Sequence, residues 1–359
     1  MTSESEDDPA PITGRCAYDG QFVQIWVDNA QDAVVKLTDD QAAEIGAEFD
    51  SIIYPLITEN FYSVSDLDGN GKVAILCFDI DNDAAQAQLP DVYTAGYFDE
   101  NDLLANSDQP SNQMEIFYID TYPAMMESYA NLDVTNPIVD RCYPTLAHEL
   151  QHMASFNCDV LVEGDPNWCD IWMDEALSRA AEDLYYESKG TDNRTRSDNI
   201  RWYNGVDAAE ITAGKSLLDW DGSLANYELS YLFSQYLRTQ IDQTQGEGQG
   251  ILSYHDIIAD PCNDYQAVEH VIQSQIDENL SFGEFTTRFR AAILLKAESG
   301  PYGFNGKDGF DELQTQLYSG TQTQLKGGGA IAVQLNSSFT PYPGAAGNDI
   351  RFTGIFGPN

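Results

Sequence analysis

The chain has 359 residues, 42% of them hydrophobic, enough for one large globular unit or two lobes sharing a core. Its 17 basic and 59 acidic residues leave a formal net charge of −42. That speaks against nucleic acid and anionic membrane as partners, since both need a basic footprint, and fits a solvated acidic surface in a salty or cation-rich medium.

In chain order, the opening MTSESEDDPAPITG lacks the basic and apolar regions of a secretory signal. Residues 1–20 are read as a flexible acidic N-terminus left after a signal or lipoprotein leader is removed, so a secreted or cell-surface location is expected. Residues 22–27, FVQIWV, predict a strand from their β-branched and aromatic content. Over 38–57, Ala43, Ile45, Phe49, Ile52, Ile53 and Leu56 follow Thr38-Asp39-Asp40 at helical spacing and predict an amphipathic helix. Two strands are expected at Val73–Ile80 and Glu115–Asp120. The second is read as an edge strand that pairs with an extended substrate, with an interior strand as the competing reading. No apolar run approaches the roughly 20 residues a spanning helix needs.

Asp66, Asp68 and Asn70 in Asp-Leu-Asp-Gly-Asn-Gly-Lys have the spacing that opens an EF-hand-like calcium loop. Its twelfth position is Cys77, so the EF-hand is incomplete. A tight turn before a strand is the other reading. From Pro144 the pattern becomes helical, over 144–157, 174–187, 224–240, 265–279 and 282–298. The end, 327–359, is Gly-rich with short β-like pieces, AIAVQL and IRFTGIF. The expected fold is therefore α+β, with an N-terminal lobe at 21–157 holding a mixed β-sheet and helices, a mainly α-helical lobe at 158–326, and the Gly-rich segment. Six cysteines, none in a CxxC, argue against a cysteine-rich zinc site. Their even number permits three disulfides, or else six buried thiols.

Residues 148–152 spell His-Glu-Leu-Gln-His. On a helix, His148 and His152 lie one turn apart on one face, where two imidazoles can share a tetrahedral zinc. Glu149 is placed to take a proton from zinc-bound water. Pro144 is tolerated in a first helical turn, and Leu146, Leu150 and Met153 form a stripe that can face the core. The chain has only four histidines, so chance placement does not explain the pattern. A catalytic zinc wants a third protein ligand and an open position. His255 and His270 sit in no matching motif. Glu175 in WMDEALS starts a helical run with Ala176, Leu177, Ala180, Ala181 and Leu184, where the helix dipole favours a carboxylate.

HELQHMASFN, WMDEALSRAAED and NYELSYLFSQYL together resemble the hyicolysin family of neutral metallopeptidases, within the gluzincins, over about residues 40–240. The resemblance implies a zincin-like bilobed fold with the zinc in the cleft between lobes. It also implies an endopeptidase acting on peptide or protein substrates with Zn2+ as cofactor. A glutamate at the position of Glu182, as in the related aminopeptidases, implies a partner behind a zinc-bound histidine. Tyr227 and Tyr231 are the candidates for the donor that steadies the oxyanion, with core packing as the alternative for each. The stretch from His152 to Glu175 is slightly longer than in thermolysin-like relatives, and the extra residues lie between Cys158 and Cys169. A disulfide there would fix the spacing of the zinc helices, by roughly 3 kcal/mol of chain entropy. Rival readings are a zinc aminopeptidase, a zinc hydrolase for non-peptide substrates, and a secreted binding or adhesive protein with a non-catalytic zinc site.

Overall fold

The computed structural model describes residues 12–30, 36–81, 93–104, 110–126, 136–307, 309–320 and 323–334. The chain forms two compact units that are not contiguous in sequence. Among the described residues, the first uses those up to Cys169 with Leu177–Asn193 and Ile258–Asn263; the second uses Asp170–Ala176, Arg194–Ile257 and those from Asp264 onward.

The first unit is built on one mixed sheet of β1 (Gly14–Asp19), β2 (Val23–Asp28), β3 (Val73–Phe78), β4 (Gly96–Phe98) and β5 (Ile116–Asp120), in the order β1-β2-β3-β5-β4. β2, β3 and β5 run parallel, and β1 and β4 are antiparallel to their neighbours. β1 lies inside the segment expected to be flexible. It reads as polar because only its pairing with β2, from Gly14↔Asp28 to Asp19↔Gln24, makes it a strand. All five residues of β5 are buried, as expected of a parallel strand covered on both faces. It lies between β3 and β4, so Glu115–Asp120 is not an edge strand; the edge on that side is β4.

α1 (Asp39–Glu48) starts with a capping box. The Thr38 side chain accepts the Gln41 N–H, and the Gln41 side chain returns to the Thr38 backbone. Ile45, Phe49, Ile53 and Ile57 form a fully buried stripe at four-residue intervals. The helix expected at 38–57 runs unbroken from Asp39 to Asn60 but is divided by a π turn into α1 and a second helix. Pro55 has no N–H to give residue 51, and a wide π turn at Phe49–Ile53, closed by the Tyr54 N–H on the Phe49 carbonyl, absorbs the lost bond before α2 (Tyr54–Asn60). α3 (Tyr143–Phe156) has Pro144 in its first turn and buries Leu146, Leu150 and Met153 completely. α4 (Ile171–Lys189) is one continuous helix of 19 residues.

The second unit contains α5 (Arg194–Asn204), α6 (Ala208–Thr212), α7 (Leu224–Gln245), α8 (Leu252–Ile258), α9 (Tyr265–Gln275) and α10 (Phe282–Leu295). α7 buries most of its circumference. Phe233 meets Phe285 and Phe289 edge-on, at 5.8 and 5.4 Å between ring centroids, in arrangements favoured by the ring quadrupoles. Residues 330–334 of the expected strand AIAVQL form no strand. Residue 335, the whole of IRFTGIF, and the first eleven residues of the acidic N-terminus lie outside the described residues. Among the described residues no helix is long and apolar enough to cross a membrane.

Candidate metal centre

The helix rise sets His148 and His152 one turn apart on α3, their rings nearly perpendicular with centroids 4.7 Å apart. The buried stripe of Leu146, Leu150 and Met153 fixes the rotation of α3, and so the face that carries the imidazoles. The His152 ring lies edge-on to Trp168 at 6.1 Å. Trp168 is wedged against Phe98 and Phe156 at 6.0 and 5.4 Å. One ring nitrogen from each histidine and one carboxylate oxygen of Glu175 all lie within 4.8 Å of one another. Glu175 is buried, at 8% exposure. α4 begins at Ile171, three residues earlier than the expected 174, so Glu175 stands in its second turn, past the reach of most of the helix dipole. Its position comes from packing. Trp172, 1% exposed, meets Phe233 at 5.6 Å, while Ala180 and Ala181 are fully buried further along α4.

Two imidazoles with one carboxylate are a donor set suited to zinc. Thiolate is absent from it, and a hard cation would prefer oxygen throughout. Behind the first imidazole, His148 Nδ1 lies 2.8 Å from Glu182 Oε1. Arg179 Nη1 donates to both oxygens of the same carboxylate at 2.8 and 2.9 Å. The three side chains are 14%, 10% and 15% exposed, so solvent screens them little. With Nδ1–H given to Glu182, Nε2 of His148 is left as the lone-pair nitrogen for a metal. Sequence reasoning found Glu182 and missed Arg179, although their i,i+3 spacing on a helix was a usable signal. Glu149, beside His148, is buried at 4% exposure.

Among the other expected residues, Tyr231 is fully buried, with its ring stacked on Phe310 at 6.3 Å, which fits the packing reading. Tyr227 is half-buried and lies against Trp220 at 4.8 Å. Asp66 and Asp68 converge with Glu115. The Asn70 side chain instead donates to Asp68 and accepts the Lys72 N–H.

The expected Cys158–Cys169 disulfide is absent, as is any other disulfide among the six cysteines. Hydrogen bonds close this loop instead. The Asp159 carboxylate accepts the Cys169 N–H at 3.2 Å, and the Asp159 carbonyl accepts the Asp165 N–H at 3.1 Å. The Cys158 thiol is hydrogen-bonded with the Tyr62 hydroxyl, and burial pushes its pKa up to about 11.

No family model matches the chain. It is 39% identical over 317 residues to the neutral metalloprotease ShpI of Staphylococcus hyicus, an alignment covering 87% of this chain and 64% of that protein. The chain thus spans somewhat less than two thirds of that relative's length. Two solved structures, an M1 zinc metallopeptidase from Deinococcus radiodurans and a point mutant of it, are 15% and 14% identical. They match 74% of this chain and 48% and 49% of their own, each with a TM-score of 0.42.

Proposed function

We propose that this relative of a neutral metalloprotease is itself a zinc-dependent endopeptidase. The convergence of His148, His152 and Glu175 donors within 4.8 Å carries the reading. A zinc ion held by these three residues would supply Lewis-acid activation of water and of the scissile carbonyl. Glu149 takes the proton of the attacking water and passes it to the leaving amine. Its burial keeps that proton from exchanging freely with bulk solvent. Glu182, braced by Arg179, holds the His148 ring in the ligating orientation. Tyr227, the more exposed of the two candidate tyrosines, donates to the developing oxyanion.

β4 is where an extended substrate would pair. It bonds to β5 on one side only among the described residues. It also lies directly against the histidine-bearing helix: a Cβ on Gly96 would sit 2.9 Å from the Thr145 side chain and 2.8 Å from the Tyr118 carbonyl. Only glycine allows so close an approach. Backbone pairing there would accept many sequences, as an endopeptidase requires. The net charge of −42 also supports an extracellular setting, which cell fractionation would check.

The test is Glu149→Gln. Casein or gelatin hydrolysis should be lost while one zinc per chain remains, and full activity in that variant would overturn the assignment. Cleavage of N-acetylated peptides separates the endopeptidase from an aminopeptidase, which needs a free amine.

A further inference from the structure

We infer that Asp66, Asp68 and Glu115 form a second metal site, selective for calcium, in the first unit. One carboxylate oxygen from each lies within 4.8 Å of the other two. The incomplete EF-hand spacing ends, along the chain, on Cys77, where no carboxylate is available. The fold supplies it from another strand. Glu115 immediately precedes β5, and its carbonyl accepts the Ala74 N–H at 2.7 Å, which registers it with the start of β3. The Asp66–Lys72 loop runs straight into β3, so β3–β5 pairing delivers Glu115 to the loop.

The independent sign of a ligand is the state of the Glu115 side chain. It is 1% exposed. Its Oε1 accepts the Ser65 hydroxyl at 2.6 Å and the Leu67 N–H at 2.9 Å. Its Oε2 is buried with no hydrogen-bond partner. A buried carboxylate oxygen left unmet is costly, and two further carboxylates beside it raise that cost. Lys72, at the end of the same loop, pairs its ammonium with Asp19. A bound cation would satisfy all three groups at once.

The loop already has the shape for one. Gly71 donates its N–H to Asp66 Oδ1 at 2.9 Å, and Asn70 donates its N–H to Asp68 Oδ1 at 3.0 Å. Gly69 and Gly71 take φ of +73° and +69°, open to glycine. An all-oxygen donor set selects a hard cation. Asymmetric donors on a loop and a strand suit calcium, which accepts irregular geometry, over magnesium, which demands a near-ideal octahedron and dehydrates reluctantly. The same segment is tied to the end of the histidine-bearing helix, since Asn157 Nδ2 donates to the Ser63 carbonyl at 2.8 Å. Calcium there would stiffen a support of the zinc helix without entering the chemistry.

The experiment is calorimetric titration of the zinc-loaded full chain with CaCl2 and, separately, MgCl2. It uses Glu149→Gln protein to prevent self-digestion and about 0.15 M KCl to screen the acidic surface. The expected result is one saturable calcium site at least tenfold tighter than magnesium. It should weaken at least tenfold in Asp68→Asn, an exposed position that leaves the fold intact, and in Glu115→Gln, which keeps the Oε1 acceptor. No saturable calcium binding below millimolar overturns the site. So does binding indifferent to both substitutions, or equal affinity for magnesium. None of these outcomes bears on zinc content or peptide hydrolysis, so the two readings fail separately.

Discussion

Replacing Glu182 should perturb the proposed zinc site without touching a proposed ligand. Its Oε1 is 2.8 Å from His148 Nδ1, and both side chains are at most 14% exposed, so the pair is shielded from water and salt. Losing such a support typically weakens metal affinity or activity 10- to 100-fold, which is about 1.4–2.7 kcal/mol. Glu182→Gln keeps an acceptor and should fall near the lower figure; Glu182→Ala should approach the upper one. The change to alanine also removes the carboxylate whose two oxygens the Arg179 guanidinium now bonds, so the melting temperature should fall as well. Pairing Glu182→Gln with Arg179→Gln removes both charges. It should recover part of the stability and none of the zinc affinity, which separates the two effects. Zinc Kd by competition with a chromophoric chelator, beside kcat/KM on a casein peptide, reads the outcome. Zinc affinity and turnover unchanged in Glu182→Ala would refute the role given to this carboxylate.

Tyr227→Phe should lower kcat by on the order of 10²-fold with little change in KM, whereas unchanged turnover would move the oxyanion donor elsewhere. Tyr231→Ala should instead cost about 3–5 kcal/mol of stability by thermal or denaturant unfolding, as for a large core side chain. Asp120 is 1% exposed, and burial pushes its carboxyl up to about 7 against backbone N–H bonds from Ile80 and Ala124. The folded chain therefore holds a proton that the unfolded chain releases near the ordinary carboxylate range. Asp120 thus contributes stability at low pH that is lost as pH rises from about 4 through about 7, by at most about 4 kcal/mol. Asp120→Asn should flatten urea-derived stability across that window, and an unaltered slope would contradict the burial argument. Thiol labelling of the native protein should modify exposed Cys16 quickly. It should spare Cys77, whose thiol burial pushes up to about 12, and the equally buried Cys142, until the chain unfolds. Non-reducing peptide maps should show no Cys158–Cys169 bond.

The histidine-bearing helix was legible because its message is local. His148, His152 and the Leu146–Leu150–Met153 stripe are fixed by one helical period, and Pro144 marks the start. Glu182 was legible for the same reason, as an offset along α4 from Glu175. What failed was whatever depends on another strand or on three-dimensional spacing. β1 is polar and exists through its register with β2. β5 looked like an edge because a sequence does not order strands, and the three-residue β4 that takes the edge is too short for periodicity to show. The Cys158–Cys169 disulfide was inferred from spacing alone, whereas Asp159 closes the loop with its own carboxylate and carbonyl. Along the chain the Asp66–Lys72 loop lacks its last acid, because Glu115 comes from the start of β5, the strand beside β3.

Anomalous diffraction at the zinc edge, from crystals of the Glu149→Gln protein, tests the central claim most directly. One peak is expected, bonded by His148, His152 and the Glu175 carboxylate, with the remaining position open to solvent. A peak elsewhere, a Glu175 carboxylate turned away from both imidazoles, or a fourth protein ligand closing the ion to water would contradict a catalytic zinc at this site.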